Sequence, residues 1–300
     1  MVYMTGGLMR VKEMLPSLPP SEEKIANYIL AHPHEVISMT ANELGKRSMT
    51  SSAAVIRLCK SLNLKGLHEL KIRIAGDLQK TTQAGFQDIE PNEAPMSIIE
   101  KMTNNSIQTI RETAELLSID ELERAVELLE KARRIHFIGV GASSIIAQDA
   151  EQKFLRINKT AYAFEDVHMA TTLVANAEKN DVVVGISFSG ETGEVANILQ
   201  LARENGAGTI SLTKYGKFPV TEQADINLYT SATREPTFRS GAMSSRMAQL
   251  QVIDILFMCV ASLAYDETVK HLAVTRNAID SLKLNMMKDS IGKKTEKPNS

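Results

Sequence analysis

From Arg134 to Tyr229 the chain alternates short, nearly unbroken apolar runs with helical segments, and few architectures accept that rhythm. The expected strands are Ile135–Gly139, Thr160–Phe164, Asp181–Ser187, Thr209–Thr213 and Ile226–Tyr229, with helices near 143–156, 166–178 and 193–205 between them. A strand apolar at almost every position is buried on both faces, as in a parallel sheet covered by helices. The alternation predicts an α/β fold, a doubly wound parallel sheet closed by two further helices near 242–264 and 266–283.

Upstream the pattern is helical throughout. Residues 21–79 read as an all-helical N-terminal domain, taken as 1–79; residues 80–95 lose periodicity and collect Thr, Gly, Asn and two prolines, as a linker does. Helical patterning resumes at Met96–Leu117, and Ser118-Ile119-Asp120-Glu121 reads as a capping box opening a helix with Leu122, Ala125, Val126 and Leu129 on one face. The α/β domain is taken as 96–283 and the tail 284–300 as disordered. Two domains are the natural expectation for 300 residues.

With 43% apolar and 23% charged residues the composition is that of a soluble globular protein. The longest apolar stretch, Ile253–Ala264, is interrupted by Asp254 and Ser262 and reads as too broken to span a bilayer. No signal-peptide pattern opens the chain, so a cytoplasmic address and no membrane partner are expected. Cys59 and Cys259 stand far apart with no paired histidine, which supports neither a disulfide framework nor a metal site, and no cofactor is expected. The net charge of −2 divides into +4 over residues 1–80 and −6 over the rest, the asymmetry of a nucleic-acid-binding head on an acidic body.

Within the head, Ser21 is placed to cap a helix with Ile25, Ala26, Ile29 and Leu30 on one face. Thr40-Ala41-Asn42-Glu43 is a capping box for a short helix near 41–46, and a turn at Arg47–Thr50 leads into a helix from about Ser51 to Leu62. Ala54, Val55, Leu58, Cys59 and Leu62 form its buried stripe; Ser52, Ala53, Ile56, Arg57 and Lys60 face away. This is the layout of a helix-turn-helix. Thr50, Ser51, Ser52 and Ala53 are small enough to approach a major-groove floor or bond phosphates, and Arg57 and Lys60 can neutralise phosphates or read guanine. Double-stranded operator DNA is the expected partner; the plainer alternative is a structural three-helix domain.

Two loops in the body follow strands and open helices: Gly139-Val140-Gly141-Ala142-Ser143-Ser144 and Ser187-Phe188-Ser189-Gly190-Glu191-Thr192. Open α/β sheets bind ligands at such strand ends, and free amides at a helix start attract anions. The hydroxyls of Ser143, Ser144, Ser187, Ser189 and Thr192 suit the oxygens of a phosphate and a sugar, with Gly190 allowing close backbone approach. The glycine pattern at 139–144 lacks the third glycine of a dinucleotide fingerprint, Ser144 standing there instead. Glu165, Asp166 and His168 follow the second strand within reach of sugar hydroxyls, although acids at a helix start also serve as caps. Arg239 either completes a pocket or forms a surface ion pair.

Ile135–Ser144 and Asp181–Thr192 resemble the two signature loops of the SIS (sugar isomerase) domain. Residues 1–79, including Ser52–Lys71 with Arg57 and Gly66-Leu67-x-Glu69-Leu70-Lys71, resemble the RpiR-type helix-turn-helix. The chain is thereby identified as a member of the MurR/RpiR regulator family over about residues 1–283, with a likeness to MurR-like regulators. The resemblance implies repression or activation of a sugar-catabolic operon in response to a phosphosugar, here N-acetylmuramic acid 6-phosphate. It also implies that Ser187, Ser189 and Thr192, with Ser143, hold the phosphate. Asn63 departs from the glycine usual at the end of the recognition helix, leaving a less favourable cap.

The competing class is a phosphosugar isomerase or lyase on the same fold. Glu165, His168, Glu191 and Glu194 are possible proton-transfer groups, but none lies in a recognisable catalytic motif, and an added helix-turn-helix has no use in such an enzyme. No catalytic residue is assigned. A homodimer or homotetramer, formed through helices of the α/β domain, would set two heads at two half-sites.

Overall fold

The computed structural model describes residues 5–78, 86–232 and 242–295, with side chains to residue 282. The N-terminal part is helical: α1 (Gly7–Met14), a 3-10 turn at Leu15–Ser17, α2 (Pro20–Ala31), α3 (Pro33–Val36), α4 (Ala41–Arg47), α5 (Ser52–Ser61) and α6 (Leu67–Leu78). Helices α7 (Pro95–Leu116) and α8 (Ile119–Lys131) lead into β1 (Arg134–Gly139), α9 (Ala142–Arg156), β2 (Ala161–Ala163), α10 (Val167–Val174), β3 (Asp181–Ile186) and α11 (Gly193–Glu204). Then follow β4 (Gly208–Lys214), α12 (Pro219–Glu222), β5 (Ile226–Thr230), α13 (Ser244–Leu263) and α14 (Tyr265–Thr295).

The five expected strands form one parallel sheet in the order β2-β1-β3-β4-β5. Strand β3 is buried at all six positions and divides its side chains between two cores. Val182, Val184 and Ile186 pack with α8, α9 and α13 on one face; Val183 packs with α10 and α11 on the other. The sheet is therefore doubly wound, as continuous apolarity requires. Because β1 neighbours both β2 and β3, the chain reverses direction across the sheet beside β1, and open α/β sheets bind ligands at such a switch point, at the carboxyl ends of the strands.

Four local expectations are corrected. Ser21 lies inside α2; Pro19 is the N-cap, without a side-chain cap, and Pro20 opens the first turn with its φ already set for a helix. Ser118 caps α8 by accepting from Glu121 N, but the Glu121 carboxylate turns instead to Arg124 and to Asn227 N at 3.4 Å. The tail expected to be disordered from residue 284 continues α14 to Thr295, a run without proline until Pro298 and rich in residues that tolerate helices; residues 296–300 lie outside the described ones. Ser244–Leu263, whose apolar part reads in the sequence as too interrupted for a bilayer, is long and apolar enough to cross one. In this fold it is a packing helix, with Val252, Ile253, Leu256 and Val260 in the sheet core.

Helix α1, which has no strong signal in the sequence, ties the two domains together. Arg10 is 1% exposed and donates to Leu116 O at 2.8 Å, at the end of α7. The helical core runs continuously from Val11 and Met14 through Val55, Leu58 and Leu62 to Leu116 and Tyr215 of the body.

Candidate functional site

In the head, Thr40 and Glu43 close the expected capping box and fix the start of α4. Gly45 is buried where α4 crosses the entry to α5; a Cβ there would lie 2.8 Å from the Ser51 carbonyl carbon. The turn passes through Met49 at φ 54°, and the Thr50 amide donates to Gly45 O at 2.7 Å. Thr50 Oγ1 is engaged with Ser48 Oγ at 3.0 Å, so this hydroxyl stiffens the turn. Ser51 caps α5, accepting from Ala54 N at 3.2 Å.

Ala54, Val55, Leu58, Cys59 and Leu62 are all buried, while Ser52, Ala53, Ile56, Arg57 and Lys60 form an open face. Burial pushes the Cys59 thiol up to about 11, which makes it a packing residue rather than a reactive one. Arg57 Nε sits 3.8 Å from Glu22, whose other carboxylate oxygen accepts from Ser61 Oγ at 2.7 Å; the guanidinium is oriented yet more than half exposed. At the other end of α5, Asn63 adopts φ 49°, Leu64 N donates to Cys59 O and Asn63 N to Lys60 O. That is a complete Schellman cap with asparagine in the left-handed position, which asparagine tolerates better than other non-glycine residues.

In the body, Gly139 pairs with Ile186 across β1 and β3, so the two Ser-containing loops emerge side by side at the crevice. Gly139 is required by contact: a Cβ would meet Ser143 O at 2.4 Å. Ser143 is buried, and Gln249 on α13 donates to its Oγ at 3.2 Å; Ser144 Oγ donates to Gly141 O at 2.8 Å. In the second loop Ser187 Oγ and Thr192 Oγ1 are 2.8 Å apart, and Gly190 N donates to Ser187 Oγ at 3.2 Å. Ser189 is exposed, its Oγ accepting from Glu191 N. Gly190 has φ 75°, a left-handed conformation that glycine takes without strain. Among the described residues, the amides of Ser189, Thr192 and Gly193 meet no acceptor. Unpaired amides at the start of α11, ringed by hydroxyls, make a seat for an anion.

The carboxyl end of β2 brings Glu165 and His168 to the same edge of the sheet. Glu165 accepts from Gln148 Nε2 at 2.6 Å, and both Glu165 and His168 are exposed. Asp166 is the N-cap of α10, accepting from Met169 N at 2.8 Å, so its carboxylate serves the helix. Arg239 lies outside the described residues. Glu191 and Glu194 are also exposed, so all four possible proton-transfer groups are open to solvent. Away from this edge, burial pushes His136 down to about 4 and Glu13 up to about 7. Among the described residues no His, Cys, Asp and Glu group is arranged to hold a metal.

Gln249 was not legible as a site residue, because it reads as one polar position on a long apolar helix. Phe218, packed against Gly190, was missed as well; only the loop position after β4 could have suggested it.

The helix-turn-helix domain model of the rpiR family matches residues 5–81, and the SIS domain model matches residues 128–259. The HTH-type transcriptional regulator YbbH of Bacillus subtilis is 51% identical over 280 residues, 93% of this chain and 99% of that protein. The HTH-type transcriptional regulator TTE0211 of Caldanaerobacter subterraneus is 45% identical over 282 residues, 94% of this chain and all of the relative. Among solved structures, the Vibrio vulnificus NanR protein complexed with ManNAc-6P superposes with a TM-score of 0.58 at 27% identity, covering 92% of this chain and 98% of that one.

Proposed function

This chain belongs to the RpiR family of HTH-type transcriptional regulators that carry an SIS domain, and from that premise we propose that its SIS domain senses a phosphosugar. The observation that carries this reading is the hydroxyl-lined loop at the switch of the sheet, where the amides of Ser189, Thr192 and Gly193 lack acceptors beside the buried Ser143. A phosphate dianion satisfies those donors; Ser143, Ser144, Ser187, Ser189, Gly190 and Thr192 hold it, and Glu165 and His168 address the sugar. The solved NanR relative was captured with ManNAc-6P, an amino-sugar phosphate, which supports the same ligand class here. Within that class we favour N-acetylmuramic acid 6-phosphate.

On this reading residues 1–79 bind operator DNA in the cytoplasm, with Ser52, Ala53, Arg57 and Lys60 facing the groove, Ser51 at the helix start and Thr50 stiffening the turn. Residues 96–283 sense and assemble. Apolar side chains left exposed on adjoining helices, including Ile145 and Leu155 on α9 and Met258 on α13, supply a surface for a second copy. The protein controls a sugar-catabolic operon and does not turn its ligand over, in keeping with the helix-turn-helix domain it shares with regulators. Ligand binding shifts the balance between two arrangements of the heads by its unequal affinity for them.

A gel shift on the DNA upstream of its own operon, with and without N-acetylmuramic acid 6-phosphate and N-acetylmannosamine 6-phosphate, tests both halves. An effector-dependent shift is expected. Absence of DNA binding under every condition at modest salt overturns the regulator reading, and turnover of a phosphosugar abolished by Glu165→Gln establishes an enzyme instead.

A further inference from the structure

We propose that Tyr215 is the positioning residue that couples the phosphate loop to the DNA-reading helix, an inference that rests on the sensing role assigned above. The segment after β4 is bonded to the phosphate loop at both of its ends. Lys214 N donates to Phe188 O at 2.9 Å, and Val220 N donates to Gly190 O at 3.1 Å. Between those anchors Phe218 packs on Gly190 so closely that a Cβ on the glycine would come within 2.5 Å of the ring. The Lys214 ammonium lies over the same ring, 4.8 Å from its centre. A ligand that draws the 187–192 loop toward itself therefore moves Phe218 and the backbone of 214–220 with it.

Tyr215 lies within this segment but points into the helical head. It is 3% exposed, and its hydroxyl donates to Leu62 O at 2.6 Å. Leu62 is the C-cap residue of α5, so one of the carbonyls that a helix end leaves unsatisfied is held by the sensing domain. The ring is fixed by the Arg10 guanidinium 5.1 Å above it and by Tyr229 edge-on at 4.8 Å. A cleft of about 250 Å³, lined in part by Lys60, Asn63, Tyr215 and Tyr229, borders the contact and gives the helix end room to shift. The path is short: the phosphate loop, Phe218 on Gly190, the backbone that joins residue 218 to Tyr215, and the Leu62 carbonyl. The two ends of α5 then have separate duties, with Ser52, Ala53 and Arg57 facing DNA and Leu62 reporting on the ligand.

The test uses the full-length chain, a fluorescent duplex from its own upstream region, and N-acetylmuramic acid 6-phosphate and N-acetylmannosamine 6-phosphate as probes. DNA affinity is measured by anisotropy with and without each probe, and probe binding to the DNA-free protein by calorimetry. Wild type is expected to show a ratio of DNA affinities in the range of about 5- to 150-fold that allosteric coupling spans. Tyr215→Phe keeps the ring and removes the hydrogen bond; it is expected to bind probe and DNA while that ratio falls to about one. Phe218→Ala, at the opposite end of the relay, is expected to do the same and serves where Tyr215→Phe fails to fold. A ratio in both variants equal to wild type overturns the relay with the sensing role intact. A wild type that binds DNA but ignores every phosphosugar removes the sensing role itself, and the relay with it.

Discussion

Gln249 Nε2 lies 3.2 Å from Ser143 Oγ and donates to it, joining the core helix α13 to the loop after β1 across 106 residues of sequence. Both side chains are buried, and the direction of the bond matters. With its oxygen occupied by the Gln249 amide, the Ser143 hydroxyl proton is free to be donated into the crevice. Gln249→Leu is expected to weaken phosphosugar binding about fivefold, the equivalent of one ordinary hydrogen bond of about 1 kcal/mol, with effector-free DNA affinity retained. Calorimetric titration of both proteins decides it; equal affinities would detach Gln249 from the site.

Gly45 carries the angle between the two helices of the DNA-reading unit. A methyl group there would press on the Ser51 and Ser52 backbone at 2.8 and 2.9 Å, which cannot yield as a flexible side chain does. Gly45→Ala should cost about 1–3 kcal/mol as an overpacking change and displace α5 from its DNA-facing position. Thermal melts and operator anisotropy together check this, and ligand binding by the body serves as the unaffected control.

Asp181 anchors the start of β3 and is fully buried. Burial alone would raise its pKa, but hydrogen bonds from Arg134 at 2.8 Å and Arg133 at 3.1 Å, with Glu178 N, hold the carboxyl well below the usual carboxylate range. Without Asp181 both arginines still reach water and Glu178, so no buried charge is stranded and the loss is that of charge-assisted hydrogen bonds. Asp181→Ala is therefore expected to cost about 1.5–3 kcal/mol by urea denaturation.

Glu13 stands at the seam between the domains. Burial is the main cause that raises its pKa to about 7, opposed by the Ala232 amide, raised further by Glu112, and lowered by Lys12 and Lys214. A raised carboxyl binds its proton more tightly when folded than its ordinary value of 4.5 implies, so its contribution is full below pH 4.5 and lost as pH rises through about 7. Glu13→Gln is expected to flatten the fall in melting temperature across that window. A slope unchanged by the substitution would show that the seam does not titrate there.

His136 has the opposite sign. It is buried in β1 against Tyr162, and neither ring nitrogen has a hydrogen-bond partner among the described residues. Burial holds its pKa near 4 against an ordinary 6.5, so the unfolded chain takes up a proton that the folded one refuses between those values. Stability should decline as pH falls from about 6.5 to about 4, and His136→Leu should remove that decline. Denaturant midpoints at three pH values are sufficient to read it.

Much of the architecture could be read locally. All five strands are where continuous apolarity places them, and the stripe from Ala54 to Leu62 is buried as its helical spacing requires. The two proposed ligand loops stand out because glycine and hydroxyl residues cluster at strand ends, a local signal. Helix α1 was not, because the inward face that holds Val11 and Met14 also holds Arg10, which a periodicity count scores as solvent-facing. The end of α10 at Val174 and the extension of α14 past residue 284 show the same limit at boundaries, where caps and packing outweigh pattern.

The sequence by itself determined the two-part plan: a helix-turn-helix ahead of a doubly wound sheet, with a glycine- and hydroxyl-rich loop after the third strand. Those features follow from periodicity, capping residues and turn chemistry, all of which act over a few residues. Tertiary structure alone decided which distant groups meet: Arg10 with the Leu116 carbonyl, Gln249 with Ser143, and Tyr215 with the carbonyl of Leu62. Each pairing buries a polar group whose partner lies more than a hundred residues away. The cost of leaving such a group unpaired selects the arrangement, and that cost exists only once the chain has closed around it.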